Sequence, residues 1–215
     1  LHYPLRRQRQ MCIRDSWSIV LSSLFCRCRK KVTDFRQDHP DGIILALDQM
    51  SAYLQATLTR VWAPRGETPV VRITPQRDML HFYGALDVIG GREVALSLPK
   101  LDGENTVHFL NHVVSCFPGH AILILLDRAP WHKGKARQFI EAHPLLDLFY
   151  FPPACPDLNP QEHVWKQTRD AVGHLRDYPH LSHLRRAFQS YLENTLFHFD
   201  WIDKYLPTFY VSEFI

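Results

Sequence analysis

An α/β fold built on a mixed sheet follows from three features of the chain. The runs I-I-L-A-L (43–47) and A-I-L-I-L-L (121–126) are continuously apolar, as expected of central strands covered by helices on both faces. Gly90-Gly91 separates two strand-like segments, 81–89 and 93–98, which is a hairpin signal. Beyond residue 106 the apolar positions fall at 107, 109, 110, 113, 114 and 117, the spacing of one helical face.

Taken in order, residues 27–38 read as the end of a basic helix or a linker, closed by the turn signal H-P-D-G (39–42). A strand begins at Ile43, a second covers 55–62, and the turn A-P-R-G-E-T-P (63–69) leads to a short strand at 70–74. The 81–98 hairpin follows, then a helix at 106–117, a strand at 121–127, a helix at 135–143 and a strand at 146–151. The segment P-P-A-C-P-D-L-N-P (152–160) is a stiff loop, and helices are expected at 160–173 and 181–199. Antiparallel strands first and alternating helices and strands afterwards predict a five-stranded mixed sheet flanked by helices. This order matches the ribonuclease-H-like topology, in which the first and fourth strands lie side by side.

Composition sets the limits. A chain of 215 residues makes one large domain, or one domain and a tail. With 46% hydrophobic and 22% charged residues it has the means to bury a core, and disorder is not its default. A net charge of +3 permits nucleic-acid binding without demanding it. Five cysteines without a framework spacing point to a reducing compartment. Cys26-Arg27-Cys28 has no matching pair that would complete a metal site. The run 17–25 is too short to span a bilayer, and the preceding arginines imitate a signal peptide without a cleavage site after it. R-Q-R-Q-M-C-I-R-D-S (7–16) resembles sequencing-adapter read-through. Residues 1–24 are therefore set apart from the fold, the alternative being a natural basic arm. The expected organisation is a non-native or disordered segment (1–24), a linker or partial helix (25–40), a catalytic domain (41–205) and a tail (206–215).

Three acids stand in positions where acids are costly. Asp48 follows the apolar run at 43–47 and Asp127 ends the run at 121–126; an unpaired carboxylate in such a setting costs several kcal/mol or is neutralised. Each could simply be a strand-end residue capping a turn. Glu162 sits in the first turn of the expected helix, where Asn159 as N-cap and Pro160 after it give the spacing of a capping box. Taken alone, Glu162 is best read as a cap. The three acids together read better as a convergent site, since carboxylate oxygens suit Mg²⁺ or Mn²⁺, and a pair of such ions cuts and joins phosphodiesters. Arg128, His132, Lys133, Lys135, Lys166 and Arg169 lie nearby in sequence. They are either a solvated face or contacts to DNA phosphates. Trp131 and Trp165 read as packing residues, and a His132/His163 zinc site lacks convergent cysteines.

L-A-L-D-Q (45–49), L-L-D-R-A-P-W-H (125–132) and above all Y-F-P-P-A-C-P-D-L-N-P-Q-E-H-V-W-K (150–166) resemble the catalytic domain of DDE transposases, in the bacterial insertion-sequence branch of the mariner superfamily. Thirty-four residues separate Asp127 from Glu162, the interval of that branch. The similarity covers residues 41–201. It implies that Asp48, Asp127 and Glu162 are the catalytic, metal-binding triad, holding two Mg²⁺ or Mn²⁺ ions. It further implies double-stranded DNA as partner (transposon ends and target), a homodimer in the active complex, and a cytoplasmic, nucleoid-bound location without membrane association. Gln49 stands where the family often has Glu, Arg128 where Asn is usual, and Ala154-Cys155 where Tyr-Ser is common. Arg128 is thereby placed to pair with Asp127 at the expense of a metal. The family's N-terminal helix-turn-helix is not found, so the expectation is a catalytic core behind a truncated front end. The alternatives are an inactive remnant that only associates with DNA, and a host nuclease of ribonuclease-H type.

Overall fold

A computed structural model describes residues 27–55, 65–66, 78–151, 159–174 and 176–198. The 1–24 segment, the strands expected at 70–74 and over most of 55–62, the loop at 152–158 and the 206–215 tail lie outside the described residues. Two compact units are distinguished: residues 41–198 lie in the larger and 27–40 in a smaller one. Within the smaller unit, helix α1 (27–38) carries Cys28, Val32 and Phe35 on one buried stripe, and His39 N–H closes it on the Phe35 carbonyl at 2.8 Å.

The larger unit is a five-stranded mixed sheet in the order β3-β2-β1-β4-β5. Its strands are β1 (Ile43–Tyr53), β2 (Met79–Asp87), β3 (Glu93–Leu98), β4 (Ile122–Leu126) and β5 (Leu146–Tyr150). β1 to β3 form an antiparallel meander, whereas β4 runs parallel to β1 and β5 parallel to β4. The first strand therefore lies beside the fourth, as the order of elements predicts. All five residues of β4 are buried, and strands flank it on both edges. Burying five such side chains stabilises the fold by about 1.5–3 kcal/mol each before the entropy of ordering is counted.

The two faces have separate cores. On one, Leu45, Leu47, Tyr83, Ile122, Ile124 and Leu126 pack with α2 (Gly103–Cys116) and α3 (Lys135–Ala142). On the other, Met50, Ala52, Phe82, Leu86 and Ala95 pack with α4 (Pro160–Thr168) and α5 (Leu181–Asn194). The helix expected at 160–173 is broken: after Thr168 the hydrogen bonding widens to a π turn over Arg169–Gly173. The final helix stops at Asn194 rather than at 199. β1 is longer than the apolar run that announced it, since pairing with β2 continues through Tyr53 opposite Met79.

α4 reaches the sheet through one missing side chain. Gly84 in β2 lies opposite Asp48 in β1. A Cβ there would stand 2.3 Å from Glu93 Oε1, 2.4 Å from Gln161 Nε2 and 2.5 Å from the tip of the Trp165 ring. Backbone freedom is not the reason for glycine here; close approach is. Gly84→Ala is therefore expected to destabilise the fold by about 1–3 kcal/mol through overpacking, read from the denaturant midpoint. An unchanged midpoint would show that α4 stands free of the sheet.

Candidate active site

Alternation along β1 turns Leu45 and Leu47 toward α2 and α3 and Met50 and Ala52 toward α4 and α5. Asp48 consequently faces α4. The parallel ladder ends with Leu47 beside Leu126, and Asp127, one residue beyond β4, is near enough for its charge to act on Asp48. Glu162 is in the first turn of α4 and exposed. Burial pushes the Asp48 carboxyl up to about 7, and the charges of Glu162 and Asp127 push the same way. The Gln49 backbone N–H and the Trp165 indole, whose Nε1 donates to Asp48 Oδ2 at 3.2 Å, oppose them. Both other acids thus act on Asp48.

Asp127 is fixed differently. Burial would raise its carboxyl, but hydrogen bonds from His132 and the Ala129 N–H, with the charge of His132, hold it below the usual carboxylate range. His132 Nδ1 lies 2.5 Å from Asp127 Oδ1 and the Ala129 N–H donates to the same oxygen at 2.9 Å. The five-residue spacing works because Pro130–His132 forms a single 3-10 turn that folds the ring back on the strand end. Tyr150 on β5 holds that turn by donating to the His132 carbonyl at 2.7 Å. Across the site, Gln49 Oε1 lies 2.8 Å from His132 Nε2 and accepts from Trp131 Nε1 at 2.7 Å. His132 is wholly buried, so its side chain orients Asp127 rather than facing a phosphate.

Asn159 caps α4 as the sequence predicts, its side chain accepting from the Gln161 N–H at 3.1 Å, and its amide reaches the Leu47 carbonyl at 3.4 Å. The reciprocal half of a capping box does not form: among the described residues the Glu162 carboxylate makes no hydrogen bond, so capping does not occupy it. Arg128 turns away from Asp127 and donates from Nε to the Phe151 carbonyl at 3.1 Å. Lys133 is exposed, Lys135 pairs with Glu104 at 2.6 Å, Lys166 with Asp170 at 2.7 Å, and Arg169 is half-buried on the π turn. Exposed pairs of this kind contribute about 0–1 kcal/mol and yield readily to a competing anion. The sequence reads Trp165 as a packing residue and gives no sign of Gly84 as the close-approach point. The spacing of Glu162 and Trp165, one helical turn apart, was the available signal.

Among the described residues no three His, Cys, Asp or Glu side chains are gathered into a ready metal cage. The donor set nevertheless fits hard divalent cations. It is all oxygen, and Asp48 is already repelled by two further carboxylates, a charge imbalance that a cation relieves.

Residues 43–185 match the family model of the DDE superfamily endonucleases. The chain belongs to that family. Matched to it are both strands that carry the acids, and α4. A curated relative of this DDE protein, the uncharacterized protein y4pE/y4sA of Sinorhizobium fredii (strain NBRC 101917 / NGR234), is 33% identical over 92 residues, 42% of this chain and 65% of the relative. Two solved structures share the fold. The Mos1 transposase paired-end complex with left transposon end superposes with a TM-score of 0.60 at 15% identity, covering 81% of this chain and 55% of that one. The Mos1 mariner paired-end complex with Mn gives 0.60 at 13% identity, over 83% and 56%. The DDE chain thus spans little more than half the length of these structures and just under two thirds of the curated relative. No helix among the described residues is long and apolar enough to cross a membrane.

The raised Asp48 carboxyl has a consequence for the metal-free protein. The unfolded chain loses this proton near pH 4 and the folded chain near pH 7, so stability falls as pH rises through that window. Asp48→Asn keeps an acceptor for Trp165 and removes the penalty. It should be more stable than the parent at pH 7 by on the order of 1–4 kcal/mol and equal near pH 4 in chelator-treated samples. A variant less stable at pH 7 would mean that Asp48 is not under repulsion.

Proposed function

We propose that this chain is the catalytic core of a DNA transposase, using two Mg²⁺ or Mn²⁺ ions held by Asp48, Asp127 and Glu162. The observation that carries the reading is the arrangement of the three acids. Asp48 in β1, Asp127 just past β4 and Glu162 at the start of α4 are distant in sequence, yet the charges of both others raise the Asp48 carboxyl. The family match and the likeness of the fold to transposase–DNA complexes, one of them containing Mn, support it. When bound, the ions would activate water or a DNA 3′-hydroxyl for attack and stabilise the leaving oxygen.

The chain's own residues account for the rest of the task. Asp48 would be the central acid holding the cations, because it is the acid that both others act on. His132 and the Ala129 N–H load one oxygen of Asp127 and fix its orientation, as the outer partners of metal-bound carboxylates do. Trp165 does the same for Asp48 while anchoring α4. Glu162, exposed and without a capping bond, is the acid free to move toward a cation. Lys133, Lys135, Lys166, Arg128 and Arg169 would hold the phosphates flanking the scissile bond, giving binding that weakens steeply with salt. Transposon ends and target duplex are the proposed partners, with two copies of the chain in the active complex.

Plasmid nicking in Mn²⁺ or Mg²⁺ separates the roles. Asp127→Asn and Glu162→Gln should each abolish nicking; Glu162→Gln should keep a melting temperature at or above the parent's, whereas Asp127→Asn stays folded but melts somewhat lower, because it gives up a charge that His132 and the Ala129 N–H stabilise. His132→Ala, which removes only an orienting partner, should lose about 10–100-fold. Glu162→Gln is the sharper case, because Gln still serves at a helix start. Full nicking by both acid variants would remove the triad from the mechanism.

A further inference from the structure

Glu93 opens β3 and is 5% exposed, on the sheet face that α4 covers. A carboxylate buried so deeply needs a partner for its charge, and the mechanism above does not use it. Its Oε1 accepts from Gln161 Nε2 at 2.7 Å. Among the described residues, two buried oxygens then remain without a hydrogen-bond partner, Glu93 Oε2 and Gln161 Oε1. They belong to two planar groups already joined by one hydrogen bond. An ionised Glu93 leaves both as acceptors with nothing to accept. A single proton on Oε2 supplies the missing donor.

We propose that Glu93 is held as the neutral acid, its Oε2 proton donated to Gln161 Oε1 while Gln161 Nε2 donates to Oε1, and that this cyclic acid–amide pair is the positioning device that seats α4 on the sheet. Gln161 immediately precedes Glu162, so the pair fixes the turn from which Glu162 reaches the site. Gly84 leaves the space in which the pair lies, touching both of its members. Burial raises the Glu93 carboxyl well above its ordinary range, against the lowering pull of Gln161 and of the Ala85 backbone. The elements packed around it bring little charge. β2 presents Gly84 and Ala85, α4 presents Gln161 and Trp165, and α5 packs through Leu184, Phe188 and Leu192 with His183, Arg185, Arg186 and Glu193 exposed. Asp48, opposite Gly84, is the near titratable group on the same face. The stability arm of the test stands alone; the catalytic arm rests on the transposase reading.

Glutamine imitates a neutral glutamic acid, offering one acceptor and one donor at every pH. A folded-state carboxyl raised above its unfolded value contributes stability at low pH that is lost as pH rises. Glu93→Gln should therefore match the parent near pH 4 and gain on it progressively toward pH 8. The Asp48 titration is common to both proteins and cancels in the difference. Glu93→Ala should be less stable than either throughout. Infrared difference spectra of parent minus Glu93→Gln at pH 7 should show the carbonyl stretch of a protonated carboxylic acid, a readout that does not depend on the alanine variant folding. In nicking assays Glu93→Gln should retain the parent rate, while Glu93→Ala loses at least tenfold in kcat with little change in KM for DNA. A parent more stable than Glu93→Gln at pH 7, or a spectrum showing only carboxylate stretches, would overturn the pair. A parent that does not nick at all would count against the transposase reading and leave the stability and infrared results to decide the pair.

Discussion

The contact between Trp165 and Asp48 ties the acid-bearing face to the core. Among the described residues Trp165 is the bulkiest fully buried side chain, and a buried indole N–H needs an acceptor. That acceptor is a carboxylate in the middle of the central strand, 3.2 Å away. The same side chain packs among Met50, Phe82, Leu86 and Phe188, so the force that buries α4 also sets its distance from Asp48. With Gly84 removing the one Cβ in the way, the first turn of α4 has little freedom. Apolar packing, a directional bond and a steric vacancy all specify the same position of the helix, and such agreement between levels makes a structure unique.

A cost is concentrated at this position. Asp48 is buried and repelled by Glu162 and Asp127, which raises its carboxyl to about 7. Asp127 escapes the same fate because His132, itself buried, and a backbone N–H stabilise its charged form. The site therefore separates its acids into one held ionised by the protein, one driven toward neutrality, and one exposed on a helix start. Proteins keep such arrangements where a bound cation or a reaction uses the imbalance, and the surrounding core must offset them. Here the apolar strands β1 and β4, buried on both faces, supply that reserve.

Much of this was legible in the residues. The continuous apolar runs identified β1 and β4 because a doubly covered strand has no polar face to alternate with. Gly90-Gly91 located the hairpin, and Asn159-Pro160 located the start of α4. The break at Thr168 was not legible, because Arg169–Gly173 keeps helical composition while its hydrogen bonds shift to π spacing. At the site, the three acids stood out by their cost in apolar surroundings, whereas the long-range partners did not. His132 looks like one more cation beside a strand, and only the tertiary fold shows it sealed between Asp127 and Gln49. Arg128, adjacent to Asp127, seemed its natural partner in sequence, yet its reach to the Phe151 carbonyl depends on β5 lying next to β4. Gly84 carries no signal in the sequence, because the reason for it is a helix more than seventy residues away.

The most direct measurement of the central claim is anomalous diffraction from crystals soaked in Mn²⁺. Two ions about 3.5–4 Å apart, with Asp48 between them and Asp127 and Glu162 on either side, is the result expected of a two-metal phosphodiester site. The Asp48→Asn variant, soaked in parallel, should lose the pair. Crystals whose anomalous density avoids these carboxylates, or binds there equally well in the Asp48→Asn variant, would contradict the account.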